Sequence, residues 1–87
     1  MAIVFIPAML QFLTHGVSQV RITGRTVRTI INTLEERFPG MKERLLQDGD
    51  IRPDIAVAID GEMALDGLAE LVKEDSEVHF IPPISGG

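Results

Sequence analysis

Cysteine is absent from the 87-residue chain, which excludes disulfides, thiolate-held metals and any chemistry carried on a side-chain thiol. Charge is absent from the first 20 residues, none of which is Asp, Glu, Lys or Arg. The opening Met1-Ala2-Ile3-Val4-Phe5-Ile6-Pro7 therefore lacks the basic n-region of a secretory leader. No apolar run approaches the length of a bilayer span. The expectation is a soluble, cytoplasmic protein with no membrane partner. An excess of positive charge is missing as well: eight basic residues face 13 acidic ones, for a net charge of −5. That balance argues against nucleic-acid binding driven by phosphate contacts.

The charge that is present is unevenly spread. Residues 21–52 hold seven basic and five acidic side chains, whereas residues 53–87 hold one basic and eight acidic. The C-terminal third is thus drawn toward a basic partner surface. Hydrophobic residues make up 45% of the chain, enough for a packed core, and the length leaves room for one domain.

Residues 2–7 form a nearly unbroken apolar run closed by Pro7, the pattern of a strand buried on both faces and central in a sheet. Val17 to Thr23 alternates instead, with Val20 and Ile22 on one face and Gln19, Arg21 and Thr23 on the other, and makes the hairpin partner. Between them, Ala8 to Gly16 keeps Met9, Leu10, Phe12 and Leu13 on a loop, where apolar side chains need a partner. Thr26 is placed to cap a helix whose apolar positions Val27, Ile30, Ile31, Leu34 and Phe38 form one stripe. Pro39-Gly40 ends it. Met41, Leu45 and Leu46 suggest a further helical turn, ended by Asp48-Gly49-Asp50. Ile55 to Ile59 is the next strand, closed by an Asp60-Gly61 turn; residues 62–76 look irregular, and Glu77 to Ile81 is the last strand with Val78 and Phe80 inward.

Hairpin, helix, strand, loop, strand is the order of an α+β domain with one main helix laid across one face of a mixed sheet of four to five strands. It is the ubiquitin-like β-grasp arrangement, expected over residues 1–83. Pro82 and Pro83 resist further pairing, so Ile84-Ser85-Gly86-Gly87 is expected to project as a flexible tail. Glycine averages about 7% of residues, so two in succession at an end arise by chance only about once in 200 chains. Without Cβ atoms such an end can thread a narrow channel and bring its carboxylate against the α-phosphate of a nucleotide. A carboxylate acylates poorly until it becomes a mixed anhydride with AMP. A sulfur nucleophile can then displace AMP and leave a thiocarboxylate on Gly87.

The ordering Ile6-Pro7-Ala8, the Gly24 to Phe38 helix, Asp60-Gly61-Glu62, Asp66-Gly67-Leu68 and the terminal Pro-Pro-Ile-Ser-Gly-Gly resembles the MoaD/ThiS family of sulfur carrier proteins over nearly the whole chain. The resemblance implies adenylation of Gly87 by a ThiF/MoeB-like activating enzyme that uses ATP, with no cofactor bound by the chain itself. It further implies that Ile84, Ser85 and Gly86 thread a partner active site. The sulfur then passes to a synthase: a cysteine synthase, the large subunit of a molybdopterin synthase, or a thiazole synthase. The Ile-Pro opening and the Phe38 to Leu46 segment are similar to the cysteine-forming branch, whose members also work with a metallohydrolase. Two departures stand out. Lys73-Glu74-Asp75-Ser76 replaces the Lys-Asp-Gly-Asp of many relatives, and Ile84-Ser85 replaces Val-Ala before the diglycine.

Strand parity supplies a second expectation. With Ile3, Phe5, Val20, Ile22, Val57 and Phe80 toward the helix, the opposite face carries Val4, Ile6, Ala56, Ala58, His79 and Ile81. With Phe12 and Leu13 these make an apolar surface for docking partner enzymes. His15 and His79, far apart and without cysteine or a His-Glu motif, make no metal site. Arg21, Arg25 and Arg28 read as a solvated face rather than an anion site. Asp60, Glu62 and Asp66 have no base, nucleophile or pocket beside them, so the chain is read as a carrier or co-substrate rather than an enzyme. A ubiquitin-like modifier that passes Gly87 to lysine amines, and a plain interaction domain, are the competing readings.

Overall fold

The computed structural model describes residues 1–82. The tail residues Ile84, Ser85, Gly86 and Gly87 lie outside the described residues. Strand β1 (Ala2–Phe5) pairs antiparallel with β2 (Gln19–Ile22) and parallel with the last strand, β7 (Glu77–Ile81). On its other side β7 pairs antiparallel with β5 (Ala56–Ile59), and β6 (Glu62–Met63) closes the sheet. The resulting order, β2-β1-β7-β5-β6, is the mixed five-stranded β-grasp sheet, and β1 is interior as its composition predicts.

Helix α1 (Val27–Arg37) lies across one face and buries the expected stripe of Val27, Ile30, Ile31 and Leu34. The Thr29 backbone N–H donates to Thr26 Oγ1 at 3.2 Å, satisfying one of the free donors of the first turn. Thr26→Ala is therefore expected to cost about 1 kcal/mol in a denaturant titration. Phe38 caps the other end half-buried, its N–H donating to Leu34 O at 2.7 Å. The next helical turn, α2 (Met41–Leu45), buries Met41 and Leu45. Its entry is held by Glu35, whose carboxylate accepts the backbone N–H groups of Gly40 and Lys42.

The Asp48-Gly49 segment does more than end a helix. It joins two short strands, β3 (Leu46–Gln47) and β4 (Asp50–Ile51), in a separate hairpin. Both of its turn residues have positive φ, 54° and 80°, as do Asp60 and Gly61 at 53° and 84° in the β5–β6 turn. Two consecutive left-handed residues match the right-handed twist of flanking strands, and Asp-Gly is the pair that adopts them most readily. The loop from Ala8 to Leu13 is a 3-10 turn that buries Leu10 and packs Leu13 against the core, leaving Met9 and Phe12 exposed. Residues 62–76, read as irregular, contain β6, a 3-10 turn at Gly67–Ala69 that buries Leu68, and a bridge from Leu71 to Thr26.

The turn that lacks the family's glycine closes by side-chain chemistry. Ser76 is 2% exposed; its Oγ accepts from the Lys73 N–H at 3.0 Å and donates to Asp60 Oδ2 at 2.8 Å. Asp60 Oδ1 in turn accepts the Glu77 N–H at 2.9 Å, tying the β5–β6 turn to the start of β7. These bonds hold the Asp60 carboxyl below its ordinary value of 3.8, the Glu77 N–H contributing most and the Ser76 hydroxyl next. A lowered folded-state value stabilises the native state at higher pH, and that contribution is lost as the carboxylate is protonated. The thermal advantage of the native protein over Asp60→Asn is thus full at neutral pH and shrinks below pH 3.8 in a melting series. Asn tolerates the left-handed backbone, so the substitution removes the charge and one hydrogen-bond acceptor without straining the turn. Ser76→Ala removes the hydrogen bonds to the Lys73 N–H and to Asp60 Oδ2 and is expected to cost about 1–3 kcal/mol.

One parity is inverted. Val4 and Ile6 are 0% and 4% exposed and lie in the core with Ala2, whereas Ile3 and Phe5 are half-buried on the other face. Val4 stands opposite Val20 and Val78, both core residues, which fixes its side. No helix among the described residues is long and apolar enough to cross a membrane.

Candidate functional site

The sheet face away from α1 has no second layer among the described elements. Its register sets the side chains in rows. Gln19, Phe5, His79, Ala58 and Met63 form one row, Arg21, Ile3 and Glu77 a second, and Ile81 and Ala56 a third. Ala56, Ala58, His79 and Ile81 occupy the face as expected from β5 and β7. Val4 and Ile6 do not: their places are taken by Ile3 and Phe5. Phe12 is 61% exposed but lies under the Arg44 guanidinium of α2, 5.2 Å away, rather than in a sheet row. Leu13 packs against the core.

Phe5 and His79 stack with ring centroids 4.1 Å apart and planes within 8°. The stack makes a flat apolar platform with a polar edge, and His79 Nε2 lies 3.8 Å from Glu77 Oε1. The two alanines of β5 keep the neighbouring surface low, so a partner backbone can approach closely. Ile81 and Met63, on the strands that flank β5, remain 45% and 56% exposed. No group of three His, Asp or Glu side chains among the described residues is arranged to hold a metal ion. His15 sits alone at φ 55° in the loop before β2.

β7 delivers the chain from the middle of the sheet to Pro82. β7 pairs with β1 as far as His79 and with β5 as far as Ile81, so Pro82 follows a strand end held on the β5 side. Ile81, the last residue of β7, belongs to that face. The placement puts the outer face and the approach to Pro82 on one strand.

The sequence profile of the ThiS family matches residues 4–87. The chain belongs to the ThiS family. ThiS-family members are ubiquitin-fold sulfur carriers, and the carrier role, as opposed to that of a catalyst, is the one typical of the family. The structure superposes on a chain of the Amycolatopsis orientalis BexX/CysO complex with a TM-score of 0.95 and 31% identity, covering 100% of both chains. Small archaeal modifier protein 3 of Haloferax volcanii is 33% identical over 64 residues, 71% of this chain and 70% of that one. The molybdopterin synthase sulfur carrier subunit of Phaeosphaeria nodorum is 33% identical over 58 residues, 67% of this chain and 60% of that one.

Interior positions of β1 were the ones that composition could not orient. Every residue of Ala2–Ile6 is apolar, so period-2 alternation has nothing to grip. The usable signal was in the partner strand, where charged Arg21 must face outward and carries Ile3, its register partner, with it.

Proposed function

We propose that Gly87 is the reacting residue of this ThiS-family carrier. Its carboxylate oxygen attacks the α-phosphorus of ATP on a ThiF/MoeB-like enzyme, and pyrophosphate leaves. Hydrosulfide or a protein persulfide then attacks the acyl carbon, AMP departs with the bonding pair, and a thiocarboxylate remains. A persulfide donor also needs a thiol to reduce it and release the transferred sulfur. The chain supplies no acid, base or metal for these steps. Its own contribution is geometric: Gly86 and Gly87 pass a narrow channel without a side-chain clash, with Ile84 and Ser85 behind them.

The observation that carries this reading is the combination of a diglycine end with a central strand that leads to it, in a chain that the ThiS profile matches through residue 87. The outer sheet face supports a docking role, with Ile3, Phe5, Ala56, Ala58, His79 and Ile81 as the contact set. We place cysteine formation ahead of molybdopterin or thiamin because the Ile6-Pro7 opening and the Phe38 to Leu46 segment resemble the cysteine-forming branch. Similarity to an archaeal modifier protein favours one second reading, transfer of Gly87 to a lysine amine.

Intact-mass analysis after incubation with ATP, sulfide and a ThiF/MoeB-like enzyme separates these readings. Exchange of one oxygen for sulfur is expected. Higher-mass conjugates in place of that exchange would favour the modifier, and an unchanged carboxylate with an enzyme that adenylates other carriers would refute both.

A further inference from the structure

Leu71 is 73% exposed on a backbone that is held in place. Residues 70–72 lie against the entry to α1: the Val27 N–H donates to Glu70 O at 3.1 Å, the Val72 N–H donates to Arg25 O at 2.8 Å, and Leu71 bridges to Thr26 between them. Val72 beside it is buried, which turns the Leu71 side chain outward. An apolar side chain on an anchored backbone gives up little freedom when a partner covers it. Leu71 forms part of the wall of a recess of about 460 Å³, whose lining also includes Met63 and Ala64 and the acidic residues Asp60, Glu62 and Glu70.

Charge decides what this recess fits. Residues 60–77 carry seven carboxylates and one basic residue, Lys73. Asp60 is taken up by Ser76 and the Glu77 N–H, but neither Glu62 nor Glu70 has a cationic group within 4.0 Å among the described residues. Glu70 is nevertheless positioned, because its Oε1 accepts the Asp66 N–H at 3.1 Å. Lys73 lines the same recess and opposes a cation, one charge against three carboxylates. Beyond Leu71 a second recess, about 660 Å³, is lined by Arg25 and Lys73 with Glu74, so the Met63 side is the one suited to a basic group.

We infer that Leu71 and Met63 anchor a basic amphipathic segment of a partner protein, its apolar residues on Leu71, Met63 and Ala64 and an arginine between Glu62 and Glu70. The arginine stem packs on apolar surface, and its fork matches a carboxylate. Two copies of this chain, each of net charge −5, repel one another, which disfavours a second copy as the occupant. Position gives the contact its use. Asp60 is bonded to Glu77, the first residue of β7, whereas Pro82 follows the last, about 13 Å away at 3.3 Å per residue. A partner seated at this end leaves Ile81 and Pro82 uncovered, so one protein can hold the chain while another engages the opposite end.

The inference does not depend on the chemistry of Gly87, and its test needs no enzyme. In a backbone-amide NMR titration of the full chain, a short peptide of alternating leucine and arginine is expected to give saturable shifts at residues 59–64 and 70–74, and its leucine and glutamate counterpart none. Leu71→Asp should weaken binding at least tenfold and Glu62→Gln with Glu70→Gln severalfold, with the melting temperature of each variant close to that of the native chain. Shifts that never saturate, that spread evenly over the acidic residues of the whole chain, or that Leu71→Asp leaves unchanged would overturn the inference. Sedimentation showing the native chain paired with itself through Leu71 would do so too, by giving the surface to a second copy.

Discussion

Deleting Gly87, or adding one residue after it, is expected to abolish thiocarboxylate formation outright while changing folding stability by no more than about 1 kcal/mol. The asymmetry follows from where the interactions lie. Every buried residue of the described core falls between Ala2 and Phe80, and all the sheet pairing is complete by Ile81. The cost of the change is chemical. Without Gly87 the carboxylate is displaced by one residue, up to about 3.6 Å, from the position a channel built for this arm would give it. Misplacement by as little as 1 Å can lower a rate by about two orders of magnitude. A thermal melt beside an intact-mass assay reads both halves. A folded, fully thiocarboxylated truncation would remove Gly87 from the chemistry.

The second large effect distinguishes the two faces of β1. Phe5→Glu places a charge in the middle of the outer face, next to His79, and is expected to lower kcat/KM with the activating enzyme by about 30-fold or more, the equivalent of roughly 2 kcal/mol. Its stability should fall by less than about 1.5 kcal/mol, since Phe5 is only half-buried and what is lost is chiefly the stack on His79. Val4→Ala should behave in the opposite way. Val4 is fully buried, so truncation costs about 1–3 kcal/mol in folding and leaves kcat/KM for the folded fraction unchanged. If Val4→Ala impaired the reaction at full stability and Phe5→Glu left it intact, the outer-face assignment would fail.

The contrast between these two residues also marks how far the amino-acid pattern could be read. Helix α1 was legible residue by residue, because its cap, its apolar stripe and its Pro-Gly stop all agree. Strands β2 and β7 were legible because polar and apolar residues alternate. β1 was legible as a strand but not in orientation. The β3–β4 hairpin was missed because each strand is two residues long, too short for any period to register, although its Asp48-Gly49 turn carried the right signal. The Ser76 to Asp60 tie was missed for another reason: it joins positions far apart in the chain, and only the folded sheet brings them to 2.8 Å.

The account stands on where the sulfur resides. Tandem mass spectrometry of the protein purified from its native host should place it on the final residue, as a thiocarboxylate on Gly87 with every side chain unmodified. Sulfur found on any other group, or a native product that runs on past Gly87 and is never trimmed, would contradict the account at its root.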